Sequence, residues 1–322
     1  MIRTQLCDLL DIKIPIVQAG MGPYTSAELV AAVTNAGALG SLGTFNRPTD
    51  DLLRQLARIA DLTTGSFAVN HLVTVLDEEA FTATLDARPR VISLALDHPH
   101  GYVKRAHDAG ALVMHQVTTV KQALDAAERG VDIVIAQGGE SGGYGGSVAT
   151  MTLVPQVVDA VHPKPVLAAG GISDGRGLAA ALMLGAQGVN IGTRFLATTE
   201  SPIDDGYKQK ILAAQSEDAV KADVWNDIMP LPGAAGYFTV ARVLRTPFLD
   251  EWQANREEAR REQQRLQAQV MEAAQQGRVH ELMPFAGQTA GAIREVRPAA
   301  DIIREIVAEA EELLRGSGRF VA

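Results

Sequence analysis

Short apolar runs rich in β-branched residues alternate along this chain with Ala- and Leu-rich stretches whose apolar positions recur at helical spacing. That alternation is the pattern of βαβ units on a parallel sheet. The runs predict strands at Ile14–Ala19, Leu39–Leu42, Phe67–Asn70, Val91–Leu96, Leu112–Val117, Asp132–Gln137, Val166–Ala169 and Gly188–Ile191. Between them Ser26–Asn35, Asp50–Ala60, Asp77–Asp86, Tyr102–Ala109, Val120–Arg129, Thr152–Ala160 and Gly177–Leu184 read as helices. Gly37, Gly110, Gly130 and Gly185 each come just after a helix, where a left-handed C′ residue is wanted, which makes the unit a weak internal repeat. About eight such units close a (β/α)8, or TIM, barrel.

The pattern breaks after Phe195. Irregular chain with one helix runs to about Met229, the segment Pro230-Leu231-Pro232-Gly233-Ala234-Ala235-Gly236 is rich in turn residues, and Trp252 to Gln276 reads as one long charged helix with a solvated face. Ala299 to Leu314, with Ile302, Ile303, Ile306 and Val307 at core spacing, is the expected eighth barrel helix. The predicted organisation is therefore a barrel of residues 1–222 and 292–322, with 223–291 inserted as a mainly helical lid.

Composition narrows the function classes. With 322 residues and 47% hydrophobic content the chain can bury a large core. A net charge of -9 argues against a nucleic-acid or membrane-surface partner, because both favour a basic face. No apolar run reaches the roughly 18 residues of a membrane span, and Met1-Ile2-Arg3-Thr4-Gln5-Leu6 has no signal-peptide pattern, so a cytoplasmic protein is expected. Cys7, the single cysteine, excludes an internal disulfide and reads as a small buried hydrophobe.

In a barrel of this kind the chemistry sits at the C-terminal ends of the strands. The strand ends of this chain carry glycine, amide, hydroxyl and a few histidines: Gln18-Ala19-Gly20-Met21-Gly22, Asn70-His71, His115-Gln116, Gln137-Gly138-Gly139-Glu140-Ser141-Gly142-Gly143-Tyr144, Ala169-Gly170-Gly171 and Gly192-Thr193. Carboxylates are not clustered, which disfavours a metal site or paired-carboxylate hydrolysis. Gly170-Gly171 and Gly192-Thr193 end the last two strands in backbone that an anion can approach, and a helix N-terminus comes next, so the pair reads as a phosphate cradle. Neither a dinucleotide fingerprint nor a P-loop is present. Glycine-rich edges suit a flat phosphorylated cofactor, with Gly20-Met21 against its ring and Asn70 at its polar edge.

These residues carry a resemblance. Pro15-Ile16-Val17-Gln18-Ala19-Gly20-Met21, Gln137-Gly138-Gly139-Glu140-Ser141-Gly142-Gly143, Ala169-Gly170-Gly171-Ile172-Ser173-Asp174-Gly175-Arg176-Gly177, Gly192-Thr193-Arg194-Phe195-Leu196 and Phe285-Ala286-Gly287-Gln288-Thr289-Ala290-Gly291 resemble the nitronate monooxygenase family. That family is similar in turn to FMN-dependent enoyl-acyl-carrier reductases and NADH:quinone reductases. The resemblance implies FMN as cofactor, with Ala19, Gly20 and Met21 against the flavin, Asn70 near its polar edge and Gln116 beside the ring. It implies Gly142 and Gly143 at the ring edge, Ala169, Gly170, Gly171, Gly192 and Thr193 around the phosphate, and Gln288 entering from the lid.

One departure bears on mechanism. Where the family pattern continues to a histidine that acts as base, this chain has Glu140-Ser141-Gly142-Gly143-Tyr144. A phenol is protonated at neutral pH and donates, so abstraction of a carbon-bound proton from a neutral nitroalkane should be poor, while an already anionic nitronate needs a donor to its oxygens. Tyr144 is the expected catalytic donor; His71, His98, His100 and His115 lie near strand ends as substitute bases. The leading expectation is an FMN-dependent oxidoreductase acting on a small anionic substrate such as an alkyl nitronate with O2. An NAD(P)H-dependent quinone or enoyl thioester reductase, a flavin-binding protein without catalysis, and a flavin-free phosphate-binding barrel stand as alternatives, and a homo-oligomer is compatible with all of them.

Overall fold

The computed structural model describes residues 2–231 and 239–320. Of the expected turn-rich segment, Pro232, Gly233, Ala234, Ala235 and Gly236 lie outside the described residues. The strands are β1 (Ile16–Gln18), β2 (Gly40–Gly43), β3 (Phe67–Leu72), β4 (Val91–Ala95), β5 (Leu112–Val117) and β6 (Ile133–Gln137). They continue as β7 (Gly143–Gly145), β8 (Val166–Ala169), β9 (Gly188–Ile191), β10 (Ala219–Lys221) and β11 (Val240–Leu244). Eight of them form one parallel sheet in the order β1-β9-β8-β6-β5-β4-β3-β2. The ring closes where the Leu39 N–H donates to the Ile16 carbonyl and the Gln18 N–H to the Leu39 carbonyl, both at 2.9 Å. This is the expected (β/α)8 barrel, and each βα unit lies within a few residues of where the apolar pattern puts it.

Both faces of each barrel strand are buried, which explains why the runs are continuously apolar. Side chains of one parity, among them Val91, Met114, Ile133, Ile135 and Leu167, fill the barrel interior, and Leu6, Cys7 and Leu10 of the helix Gln5–Leu10 join the same cluster. The other parity, Ile92, Leu94, Val113, Val134 and Ala136, packs outward against the surrounding helices. The closing helix Ala299–Gly316 buries Ile302, Ile303 and Ile306. Among the described residues no helix is long and apolar enough to cross a membrane.

Beyond the barrel, β10, β11 and β7 make a small antiparallel sheet in the order β10-β11-β7, with Tyr144 opposite Ala241. The single helix expected from Trp252 to Gln276 is three: Pro247–Ala254, Arg256–Arg261 and Gln263–Gln275. Asn255 (φ -122°, ψ 45°) leaves helical geometry, and its side-chain amide donates to the Glu251 carbonyl at 2.7 Å, a local bond that competes with the helix. Trp252, Ala259, Leu266 and Val270, spread over the three helices, pack into one apolar cluster. The charged run is also less free than its composition implies. Arg256 and Arg260 both bind Asp227, at 2.6 and 2.9 Å, and these partners hold the Asp227 carboxyl below its ordinary range.

His71 and His115 sit on the outward parity of β3 and β5 and are buried among the helices. The His71 ring lies between the hydroxyls of Thr44 (3.1 Å) and Thr84 (3.0 Å). Burial pushes its pKa down to about 4, so it is neutral in the fold, whereas the unfolded chain takes up a proton below about 6.5. Stability should therefore fall as pH drops from about 6.5 to about 4, by about 3 kcal/mol from this residue, and level off below. Urea unfolding at about pH 7.5 and about pH 4.5 should show a smaller loss for His71→Gln than for the native chain; equal losses would remove His71 as a source.

Candidate active site

Strand parity builds the site. On every barrel strand the inward positions continue toward the C-terminal end beyond the residues of the barrel centre. The next inward residues are Ala19, Ser41, Asn70, Ser93, Gln116, Gln137, Ala169 and Asn190, and all of them line one cavity of about 420 Å³, as do Leu72 and Ala95 two positions further along β3 and β4. The ring is neutral and rich in amides and hydroxyls. Gly20, Met21, Gly142, Gly143, Gly170, Gly171, Gly192 and Thr193 lie on the same wall, as does Tyr144. Gln288 does not: its backbone N–H donates to the Glu140 carbonyl at 2.9 Å, and its neighbours Gly287 and Thr289 line the cavity instead. The far wall is apolar, made by Met229, Val270, Met271 and Phe285.

Sequence reasoning missed Ser41, Ser93, Gln137 and Asn190. The signal was available, since each stands an even number of positions after an interior residue of its own strand. The same parity excludes His71 and His115, and no histidine is among the described residues of the wall. His98 lies outside the wall, its Nδ1 against the Asp125 carboxylate.

Gly170 (φ 92°) and Gly171 (φ 74°) adopt the left-handed backbone that the turn after β8 requires. A Cβ on Gly170 would meet the Gly138 carbonyl at 2.9 Å, while one on Gly171 would have only Glu140 near it, at 3.6 Å. The next helix, Gly175–Met183, does not offer its N-terminus as the sequence led us to expect. Its Gly175 N–H donates to the Glu309 carboxylate (2.7 Å) and its Gly177 N–H to Asp174 (3.1 Å), so acids of the chain itself already cap it. At the neighbouring turn Thr193 Oγ1 accepts the Gly287 N–H at 2.9 Å, which leaves the hydroxyl proton for a ligand.

Glu140 is the one charged side chain among the described residues of the wall, and it is committed to the scaffold. Its carboxylate accepts from the Thr150 N–H (3.0 and 3.1 Å) and hydroxyl (2.9 Å). Asn70 donates its amide to the Ser93 hydroxyl at 3.1 Å, leaving its carbonyl oxygen available. Tyr144 accepts the indole N–H of Trp225 at 2.6 Å, and burial pushes its pKa up to about 12. The phenol is protonated across the physiological range, so it has a proton to donate to a ligand and does not act as a base there. Among the described residues the wall also holds three side-chain oxygens, on Ser41, Gln137 and Ser141, that are buried without a hydrogen-bond partner.

Glycine turns, neutral amides and hydroxyls at the strand ends make a site suited to a flat, phosphorylated ligand. The nitronate monooxygenase family model matches residues 3–82 and 75–309, and the chain belongs to that family. It is 41% identical over 222 residues to a Mycobacterium tuberculosis (3aS,4S,5R,7aS)-5-hydroxy-7a-methyl-1-oxo-octahydro-1H-indene-4-carboxyl-CoA dehydrogenase, a match that takes in 68% of this chain and 62% of that relative's length. It is 34% identical over 272 residues to a probable nitronate monooxygenase of Staphylococcus haemolyticus, covering 70% of this chain and 76% of the relative. Among solved structures, FabK from Thermotoga maritima superposes with a TM-score of 0.89 at 33% identity, over 100% of both chains.

Proposed function

We propose that this enzyme binds FMN non-covalently and oxidises a small anionic substrate such as an alkyl nitronate, with O2 as the final electron acceptor, in the cytoplasm. The residues present fit the cofactor. Gly171 leaves open backbone where a phosphate would lie, and the oxygens of Ser41, Gln137 and Ser141, unpartnered among the described residues, can accept from the cofactor's N–H and hydroxyl groups. When bound, FMN would take two electrons from the substrate and pass them to O2. Ala19, Gly20 and Met21 would flank the ring with Gln116 beside it, Asn70 would meet its polar edge, and Gly142 and Gly143 its rim; Gly192 and Thr193 would join the glycine pair at the phosphate. Residues 223–291 act in this reading as a lid on the barrel formed by 1–222 and 292–322.

The observation that carries the choice of substrate is Tyr144. A protonated phenol on the wall can donate to a nitronate oxygen and hold its charge, but it cannot take a proton from carbon. A second reading is favoured by the apolar far wall: NAD(P)H-dependent reduction of a quinone or enoyl thioester, the thioester being in keeping with a Mycobacterium tuberculosis relative named as the dehydrogenase of a carboxyl-CoA compound. An anaerobic flavin-reduction experiment separates the two. Propyl-2-nitronate should bleach the flavin faster than NADH or NADPH does; bleaching by a nicotinamide alone would overturn the first reading in favour of the second.

A further inference from the structure

The Tyr144 hydroxyl is held by a partner that sequence reasoning did not reach. Trp225 is 5% exposed and stands on the helix Asp223–Ile228, and its Nε1 donates to Tyr144 Oη at 2.6 Å. An indole N–H can only donate, so the sense of this bond is fixed: the phenol oxygen accepts. A phenol carries one proton. With its acceptor side taken, that proton must point elsewhere, and among the described residues it meets no acceptor. Both side chains line the cavity, so the remaining direction opens on it.

The pair is built as a unit. Tyr144 pairs with Ala241 across β7 and β11, and the Ala222 N–H donates to the carbonyl of that same Ala241 at 2.8 Å. The Trp225 N–H in turn donates to the Ala222 carbonyl at 3.0 Å, so both aromatic residues are registered through one backbone position. Phe285 closes the cluster, edge-on to Trp225 with ring centroids 5.4 Å apart and 6.1 Å from the Tyr144 ring.

We propose that Trp225 is a positioning residue that, by occupying the acceptor side of the Tyr144 hydroxyl, turns that hydroxyl's proton into the cavity toward an anionic substrate oxygen. The indole also polarises the phenol, since a hydroxyl that accepts one hydrogen bond donates the next more strongly. This inference rests on the anionic-substrate reading above.

The chain has two tryptophans, Trp225 and Trp252, so a 15N-labelled sample shows two indole N–H resonances, with and without FMN. Trp252→Phe, a change outside the cavity lining, assigns them. Nitrate, a planar oxyanion that cannot donate electrons to the flavin, serves as the probe. It should shift the Trp225 resonance in the native protein and leave it unmoved in Tyr144→Phe, an arm that does not depend on the folding of the Trp225 variant. In kinetics with propyl-2-nitronate, Trp225→Phe should lower kcat about tenfold, and the double variant should be within about twofold of Tyr144→Phe alone. Partial recovery is expected in Trp225→His, which keeps a ring N–H. Additive losses in the double variant, or a Trp225 resonance deaf to nitrate in an enzyme that turns nitronates over, overturn the positioning role. Conversely, a resonance that answers nitrate through Tyr144 in an enzyme indifferent to nitronates keeps the role and removes the nitronate reading.

Discussion

Gly171→Asp is expected to yield a folded but colourless protein whose affinity for FMN is lower by about 100-fold or more. Two unit charges about 4 Å apart near a protein surface repel by about 4 kcal/mol, which after partial screening corresponds to a loss of that order. The position is chosen because it separates charge from sterics. Gly171 is exposed at the cavity and a Cβ there clears its nearest neighbour by 3.6 Å, so the side chain fits. The φ of 74° costs an ordinary residue about 1–2 kcal/mol, but Asn and Asp tolerate that region better than most. Gly171→Asn is therefore the matched control: same shape, same backbone cost, no charge. It should fold equally well and keep most of the yellow colour. Retention of FMN by both variants, read as flavin absorbance after gel filtration with circular dichroism as the fold check, would move the phosphate away from this turn.

Tyr144→Phe should lower kcat/KM for propyl-2-nitronate by about 10²–10³-fold, the usual consequence of removing one donor to a charged oxygen, with FMN content unchanged. The ring stays, so packing against Phe285 is preserved, and only the hydroxyl that Trp225 holds is lost. The pH dependence has a definite sign. Because burial pushes the phenol up to about 12, its donating form persists at every lower pH, and the native profile should show no alkaline fall due to this group in the ordinary assay range. Tyr144→His reverses the logic. An imidazole becomes a base as pH rises through about 6.5, so turnover of neutral nitroalkanes should appear and increase with pH. Full activity in Tyr144→Phe would leave the phenol as a passive part of the wall.

Much of this molecule is legible in its residues alone. Hydrophobic periodicity is a local property, and a strand buried on both faces announces itself as a short continuous run wherever the chain goes next; counting such runs leads to the barrel. Glycine turns such as Gly170-Gly171 are equally local, because the need for positive φ is set by the few residues of the turn itself. Period-two parity extends the reading further, and applied to Ala68-Val69-Asn70 or Ile135-Ala136-Gln137 it selects the inward residue at each strand end. It also shows why His71 and His115, adjacent in sequence to site residues, face the helices.

Local pattern could not reach the features made by distant segments meeting. Glu309 caps a helix 134 residues earlier, which closes an N-terminus that composition alone leaves open to an anion. Asn255 and Glu262 interrupt a stretch of good helix formers, and propensity, a weak local prior, does not mark those two breaks. Trp225 meets Tyr144 across 81 residues, through a sheet that joins the glycine-rich loop to the chain beyond the barrel. The sequence by itself determined the barrel, its strand ends and its glycine turns, since each depends on neighbours a few positions away. Only the tertiary structure decided which groups are already satisfied and where the phenol's proton points, because hydrogen-bond partners remote in sequence are set by how the whole chain packs.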